Sequence, residues 1–493
     1  MSRYGGVLVV GLSGGDPDTL DPTVSRSGAS VEIYLAMCER LYTFDAKKNM
    51  APLLAAALPV LSKDKLSYTV QLRKGVEFND GTPLDAQAVA TSVQRMISYP
   101  GSSRASDFAN VDSVTASGQY TAVFHLKQRD STFSGNPYVL SPTQLAKAGS
   151  NFGAAPVCVG AFMFDHRITG DNVTLIKSPY YYDQKDVFLD KIVFKPMPDA
   201  AAAAAALKAG DIQVLDQVSS TELPAVQQTS SLRVIQGYQL GWRGIVINVG
   251  NKNGVGNMPY TPDAGKPLAS SPKLRQAFEE AIDRNTMNKV VFGGYVQPSC
   301  TPVPPADAAW YAATKVPCTP YNPADAKKLV ATSGISNPTV HLLTPNTTDI
   351  LRLAQFIQSE EATVGINVVI DATDSPTATA RAVTGNFDTY SSGFTPGGPD
   401  PNIDTYQFVT TSGVRNYSGY SNPRLDLILN NGLKASKIQA RSTLYRVAQQ
   451  IILSDRPIIY LYNPITVAGF SSNLTGVHLN YNGALTVSNA QFK

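Results

Sequence analysis

The 493-residue chain is 43% hydrophobic and 16% charged, with a formal net charge of +3. Ordinary apolar content with few charges excludes a disordered chain, and the length exceeds what one hydrophobic core organises, so two or three domains are expected. No basic run is longer than a pair, as at Lys47-Lys48 and Lys327-Lys328, which argues against nucleic-acid binding, and no stretch approaches the roughly 20 apolar residues of a bilayer span.

The N-terminus opens directly onto a strand-like Val7-Leu8-Val9-Val10, with no visible signal peptide. Either the protein is cytoplasmic or an export signal has been removed and a start Met added. Gly11-Leu12-Ser13-Gly14-Gly15 fits the G-x-S-x-G nucleophile elbow. That elbow needs a helix straight after the serine, whereas Asp16-Pro17-Asp18 and Asp21-Pro22 break helices.

Thr69 to Leu72 alternates as a strand, and Asn79-Asp80-Gly81-Thr82-Pro83 is a turn. Leu84 to Ile97 carries Ala86, Val89, Val93, Met96 and Ile97 at helical spacing. Tyr120 to Leu126 is a further strand. Ala200 to Ala209 reads as a helix stopped by Gly210, followed by a strand over Ile212 to Leu215. Gly244 to Asn248 is a strand, and Asn251 to Ser270 is loop-like.

Ser271-Pro272 starts a helix, with Ser as N-cap and Pro in the first turn. Leu274, Phe278 and Ile282 form its buried stripe. Asn322-Pro323 opens another helix before Gly334. Thr339 to Leu343 is a strand, Ile350 to Thr363 a helix ended by Gly365, and Ile366 to Ile370 a strand. Repeated helix-Gly-strand units imply α/β architecture, with helices covering a mixed or parallel sheet in each of two lobes.

The four cysteines, Cys38, Cys158, Cys300 and Cys318, are even in number and suit an oxidising compartment; four unpaired thiols are the alternative. None of the four histidines lies within five residues of another or of a cysteine, so no zinc site is expected. No metal and no cofactor is expected.

The run Leu72-Arg73-Lys74-Gly75-Val76-Glu77-Phe78-Asn79-Asp80-Gly81-Thr82-Pro83-Leu84-Asp85-Ala86 resembles the signature of the family-5 extracellular solute-binding proteins of bacterial ABC importers. Thr19-Leu20-Asp21-Pro22, Pro156-Val157-Cys158-Val159-Gly160-Ala161-Phe162, Ser178 to Tyr182, Leu274-Arg275-Gln276-Ala277-Phe278 with Ala281-Ile282-Asp283-Arg284, Tyr321-Asn322-Pro323 through Leu329, Gly398-Pro399-Asp400-Pro401 and Tyr420-Ser421-Asn422-Pro423 with Asp426 follow in that family's order. The resemblance covers about residues 7 to 490. It implies a periplasmic-binding-protein-like, two-lobed fold with an inserted extra domain. Domain I would be 1-44 plus 157-248 plus 464-493, domain II 45-156 and domain III 249-463, with the ligand enclosed by hinge closure between I and III.

The resemblance implies no enzyme. The protein would be an extracytoplasmic, lipid-anchored monomer that captures a peptide or peptide-like solute and hands it to ABC permease subunits. A secreted hydrolase and a binder of a non-peptide solute, such as a glycoside or metal chelate, are the alternatives. Two disulfides are expected: Cys300–Cys318, closing a short loop between proline-rich flanks, and Cys38–Cys158, tying two parts in or beside domain I.

Ligand-binding candidates fall in three places. Ser25, Arg26, Ser27 and Gly28 follow the Leu-Asp-Pro step, where relatives pair with an extended peptide. Tyr238 and Trp242 precede the domain III strand, and amphipathic aromatics are common in pockets; Trp310 is a weaker candidate. Ser392, Gly393, Phe394, Thr395 and Gly397 lie in a strand-to-loop stretch. There, relatives carry a Trp and, three residues later, an Asp that pairs with the ligand's ammonium. Phe394 and Gly397 take those positions, so the usual amine anchor is absent. Asp400 reads as a helix cap. Either the solute lacks a free amine, or Glu32 or Asp388 replaces the anchor.

Overall fold

The computed structural model describes residues 5–493 apart from 26, 46–48, 131, 132, 134, 264, 306, 397 and 436. The chain divides into two compact units, one comprising Met1–Val218, Glu222–Gly237 and Thr466–Lys493, the other Ser219–Thr221 and Tyr238–Ile465.

The first unit is built on a seven-stranded sheet in the order Leu232–Tyr238, Ile465–Ser471, Val214–Leu215, Val7–Leu12, Lys191–Pro196, Asn172–Lys177 and Phe162–Ile168. Val7–Leu12 pairs in parallel with Lys191–Pro196 and Val214–Leu215. Ala200–Ala209 is helical as its alanines predict: the Asp199 side chain accepts from the Ala202 amide at 2.8 Å, and Gly210 ends it at φ +87°. The strand expected from Ile212 shortens to Val214–Leu215 because the helix end captures the Asp211 and Ile212 amides, both of which donate to the Ala206 carbonyl. Ser13 is followed by turns, and the next helix is Gly28–Met37, so the elbow geometry is absent.

A separate four-stranded antiparallel sheet in this unit runs Val60–Leu61, Ser67–Gln71, Thr121–Leu126 and Val111–Ala116. The helix Ala86–Ser98 packs on it, capped by Asp85 through the Ala88 amide at 2.8 Å. The 72–86 run is a folding device. Asp80 accepts from the Thr82 amide at 3.0 Å and from Ser141 Oγ at 2.7 Å, and the Asn79 amide donates to the Cys158 carbonyl. Cys38 is disulfide-bonded to Cys158.

The second unit holds a six-stranded mixed sheet in the order Gln297–Pro298, Ile458–Asn463, Trp242–Ile247, Thr389–Phe394, Thr339–Pro345 and Asn367–Thr373. The strand Trp242–Ile247 feeds both of this unit's cores: Ile245 and Ile247 pack with Leu274, Phe278 and Ile282, while Trp242 and Val246 pack with Phe408 and Tyr460. Ser271 caps Pro272–Glu280 by accepting from the Leu274 amide, and Gly365 ends Thr348–Val364 at φ +92°. Cys300 is disulfide-bonded to Cys318.

The segment after Val249 has its backbone satisfied by side chains. Asn248 Nδ2 donates to the carbonyls of Asn251, Gly385 and Phe387, and Asn251 Nδ2 to those of Ala382 and Tyr417. Among the described residues no helix is long and apolar enough to cross a membrane.

Candidate functional site

In the second unit one charged residue interrupts an otherwise apolar strand, Trp-Arg-Gly-Ile-Val-Ile over 242–247. Arg243 faces Gly393 in the antiparallel register, between the pairs Trp242 with Phe394 and Gly244 with Ser392. Its Nη1 donates to the Trp242 carbonyl at 2.9 Å and to the Phe394 carbonyl at 3.3 Å. Its Nη2 reaches Gln239 Oε1 at 3.5 Å and Thr395 Oγ1 at 3.4 Å, the outer limit of a hydrogen bond. Burial holds the guanidinium below its ordinary pKa, because a charge out of water is disfavoured. Phe394 stacks at a tilt on Phe408 with ring centroids 5.1 Å apart, and the Arg415 guanidinium lies 5.0 Å from its centroid.

The first unit holds a second polar constellation. Arg40 and Arg104 approach the Tyr138 ring at 4.2 Å and 5.7 Å, and Arg40 Nη2 donates to the Tyr138 hydroxyl. Nearby, Asp18 accepts from the hydroxyls of Ser25 at 2.7 Å and Ser30 at 2.9 Å. Burial, and next the neighbouring Asp216 carboxylate, push the Glu32 carboxyl well up. Asp216 is itself raised by burial and accepts from the Ser13 amide at 2.8 Å. Among the described residues no three His, Cys, Asp or Glu side chains gather as a metal site. Hydrogen-bond donors, guanidinium groups and aromatic faces of this kind are groups that can hold a polar solute.

The family described as bacterial extracellular solute-binding proteins, family 5 Middle, matches residues 49–416. The chain belongs to that family. The glutathione-binding protein GsiB of Shigella flexneri serotype 5b is 29% identical over 489 residues, covering 95% of this chain and 91% of the relative. Two solved structures share the fold. One is the periplasmic binding protein DppA of Helicobacter pylori in complex with the peptide STSA, with TM-score 0.87, 23% identity, and coverage of 99% of this chain and 98% of that one. The other is the oligopeptide-binding protein AppA of Bacillus subtilis in complex with a nonapeptide, with TM-score 0.86, 24% identity and full coverage of both chains. The α/β, periplasmic-binding-protein-like fold expected from the sequence is therefore the fold of this family 5 protein.

The sequence candidates are placed unevenly. Ser25 is buried, with its hydroxyl on Asp18 and its carbonyl accepting from Ser103 Oγ at 2.7 Å. Ser27 precedes the helix Gly28–Met37 without a side-chain cap bond, and Gly28 is exposed with open space where a Cβ would stand. Arg26 and Gly397 lie outside the described residues. Tyr238 ends the strand Leu232–Tyr238 and is 48% exposed.

Trp242 is placed otherwise than a ligand platform requires. It is 0% exposed and packs edge-on against Phe408 and Tyr460 at 5.0 and 5.1 Å, so its position is that of a core residue. Trp310 likewise packs on Tyr445 beneath Arg441. Ser392, Gly393 and Phe394 complete the strand Thr389–Phe394, and Thr395 follows it beside Arg243. Asp400 caps Pro401–Val409 through the Asn402 amide at 3.0 Å. Asp388 accepts from the His341 amide at 3.2 Å.

Sequence reasoning passed over Arg243, Arg40 and Arg104. A signal existed for Arg243, a lone cation inside an apolar strand. Arg40 and Arg104 flank Tyr138 only through long-range folding, and nothing local marks them.

Proposed function

We propose that this chain is the extracytoplasmic substrate-binding component of an ABC import system, capturing a peptide or peptide-like solute and delivering it unchanged to a membrane permease. Family membership over residues 49–416 carries this reading. Its chemistry is supported by what the relatives bind: glutathione for GsiB, a peptide for DppA and a nonapeptide for AppA. We place the solute-facing residues at Ser25 to Gly28 and Tyr238 in the first two stretches, and at Ser392 to Thr395 with Gly397 in the third. The protein acts as a lipid-anchored monomer and performs no catalysis. The chain has three parts divided at about residues 45, 157, 249 and 464, with 45–156 as the insertion.

Mass spectrometry of the solute released by denaturing natively purified protein is the direct test. An intact peptide-like molecule is the expected result, recovered unaltered after incubation with fresh protein. A cleaved or otherwise transformed product would overturn the non-enzymatic part of the reading. A sugar or metal chelate would replace the peptide-like part.

A further inference from the structure

We infer that Arg243 is a carboxylate-binding residue, so that the solute of this protein presents an acid group to the edge of the strand Trp242–Ile247. The inference rests on the solute-binding reading and names the solute's chemistry.

A guanidinium is a planar fork of N–H donors that matches a carboxylate two bonds at a time. In Arg243 only Nη1 is well used, on the Trp242 and Phe394 carbonyls. Nη2 has two contacts at 3.4 and 3.5 Å, both to neutral oxygens. No carboxylate among the described residues forms an ion pair with it, whereas Arg95, Arg167, Arg284, Arg381, Arg441 and Arg456 each have one. A half-buried cation without a counter-ion is a costly arrangement, and natural proteins retain such costs where function needs them.

The surroundings are shaped to hold the side chain. A Cβ at residue 393 would stand 2.2 Å from Arg243 Cδ and 2.9 Å from its Nε, so only glycine lets the arginine lie across the neighbouring strand. Gly241 is similarly forced, because a Cβ there would stand 1.9 Å from the Phe394 carbonyl oxygen that Arg243 bonds. Two glycines and two carbonyls thus fix one edge of the guanidinium and leave its Nε–Nη2 edge for a partner. A purely structural pin would need the Nη1 contacts alone. The fork and its positive charge would then be dispensable.

The test uses full-length wild-type, R243Q and R243K proteins, unfolded and refolded to strip any solute. Calorimetry is run with glutathione, N-acetyl-dialanine and N-acetyl-trialanine, each beside its neutral ester or amide. The expected result is that an acid binds wild-type at least about tenfold more tightly than its neutral counterpart. R243Q should lose that preference, and R243K should recover part of it. Stripped R243Q should melt no lower than stripped wild-type, since the cation has no counter-ion to lose and relief of its desolvation offsets the two carbonyl bonds. Equal binding of acids and neutral derivatives, or an unchanged acid preference in R243Q, would remove Arg243 from the site while leaving solute binding intact. A lower melting temperature in stripped R243Q, with acid binding retained, would make it a structural pin. Silence of every probe in wild-type would count against the peptide-like reading and this one together.

Discussion

Asp400 and Arg441 form an ion pair at 2.8 Å, and the same carboxylate caps the helix Pro401–Val409. Arg441 is fully committed as well, with Nε on the Gly432 carbonyl and Nη2 on the Tyr445 hydroxyl. The acid in this loop is therefore spent inside the unit and is no anchor for a solute amine. D400N keeps a cap and breaks the pair; it should cost about 2–3 kcal/mol, since Arg441 is left buried without its charge partner. D400A should cost about 1 kcal/mol more through the lost cap. Denaturant melts check both. A D400N protein of unchanged stability that has lost its solute would return Asp400 to the binding site.

Asn251 is the second structural lock in this unit. Its amide donates to the Ala382 and Tyr417 carbonyls at 3.2 and 3.0 Å, and its Oδ1 accepts from the Gly254 amide at 3.0 Å. N251A takes the side-chain partner from the Tyr417 carbonyl and the Gly254 amide, while the Ala382 carbonyl keeps the Gly385 amide, and should destabilise by about 2–4 kcal/mol. G419A should do comparable damage, because Gly419 sits at φ +63° with the backbone nitrogen of Asn251 only 2.2 Å from where its Cβ would be. Urea midpoints of the two variants test the pair.

Glu361 carries a pH prediction. It is fully buried in the helix Thr348–Val364, neither carboxylate oxygen has a hydrogen-bond partner, and burial pushes its pKa well up. A folded pKa above the unfolded one means that the folded state holds the proton more tightly. The favourable contribution is complete below the unfolded pKa of about 4.3 and is lost as pH rises toward the folded value. E361M removes the group at similar volume. Its melting temperature should exceed wild-type at pH 7–8, and the gain should shrink toward pH 4. A gain that is flat or growing toward acid would contradict the assignment.

The disulfides should stabilise with the logarithm of the loops they close, 120 and 18 residues apart in sequence. Chain-entropy estimates give nearly 5 kcal/mol for a long loop and about 3 kcal/mol for the short one. Denaturing alkylation without reductant should find no free thiol. C300S/C318S should melt lower than wild-type but higher than C38S/C158S. Four alkylatable thiols would refute both bridges.

Local signals in the sequence carried far. The cap at Ser271 and the stops at Gly210 and Gly365 were legible because each depends on hydrogen bonds within a few residues. Reading Trp242 as a pocket residue failed for a different reason. The strand it opens feeds hydrophobic clusters with both sets of alternate side chains, so the pattern has no polar face to show which side is open.

The sequence alone determined the family and the α/β alternation of helices and strands, because these rest on contiguous residues. Tertiary structure alone decided which charges are spent and which remain. Arg441 meets Asp400 across 41 positions, and Arg243 meets the Phe394 carbonyl across 151. A hydrogen bond reaches about 3 Å, so whether a charge finds its partner is fixed by the folded path of the chain and by glycines such as Gly393 that make room for it.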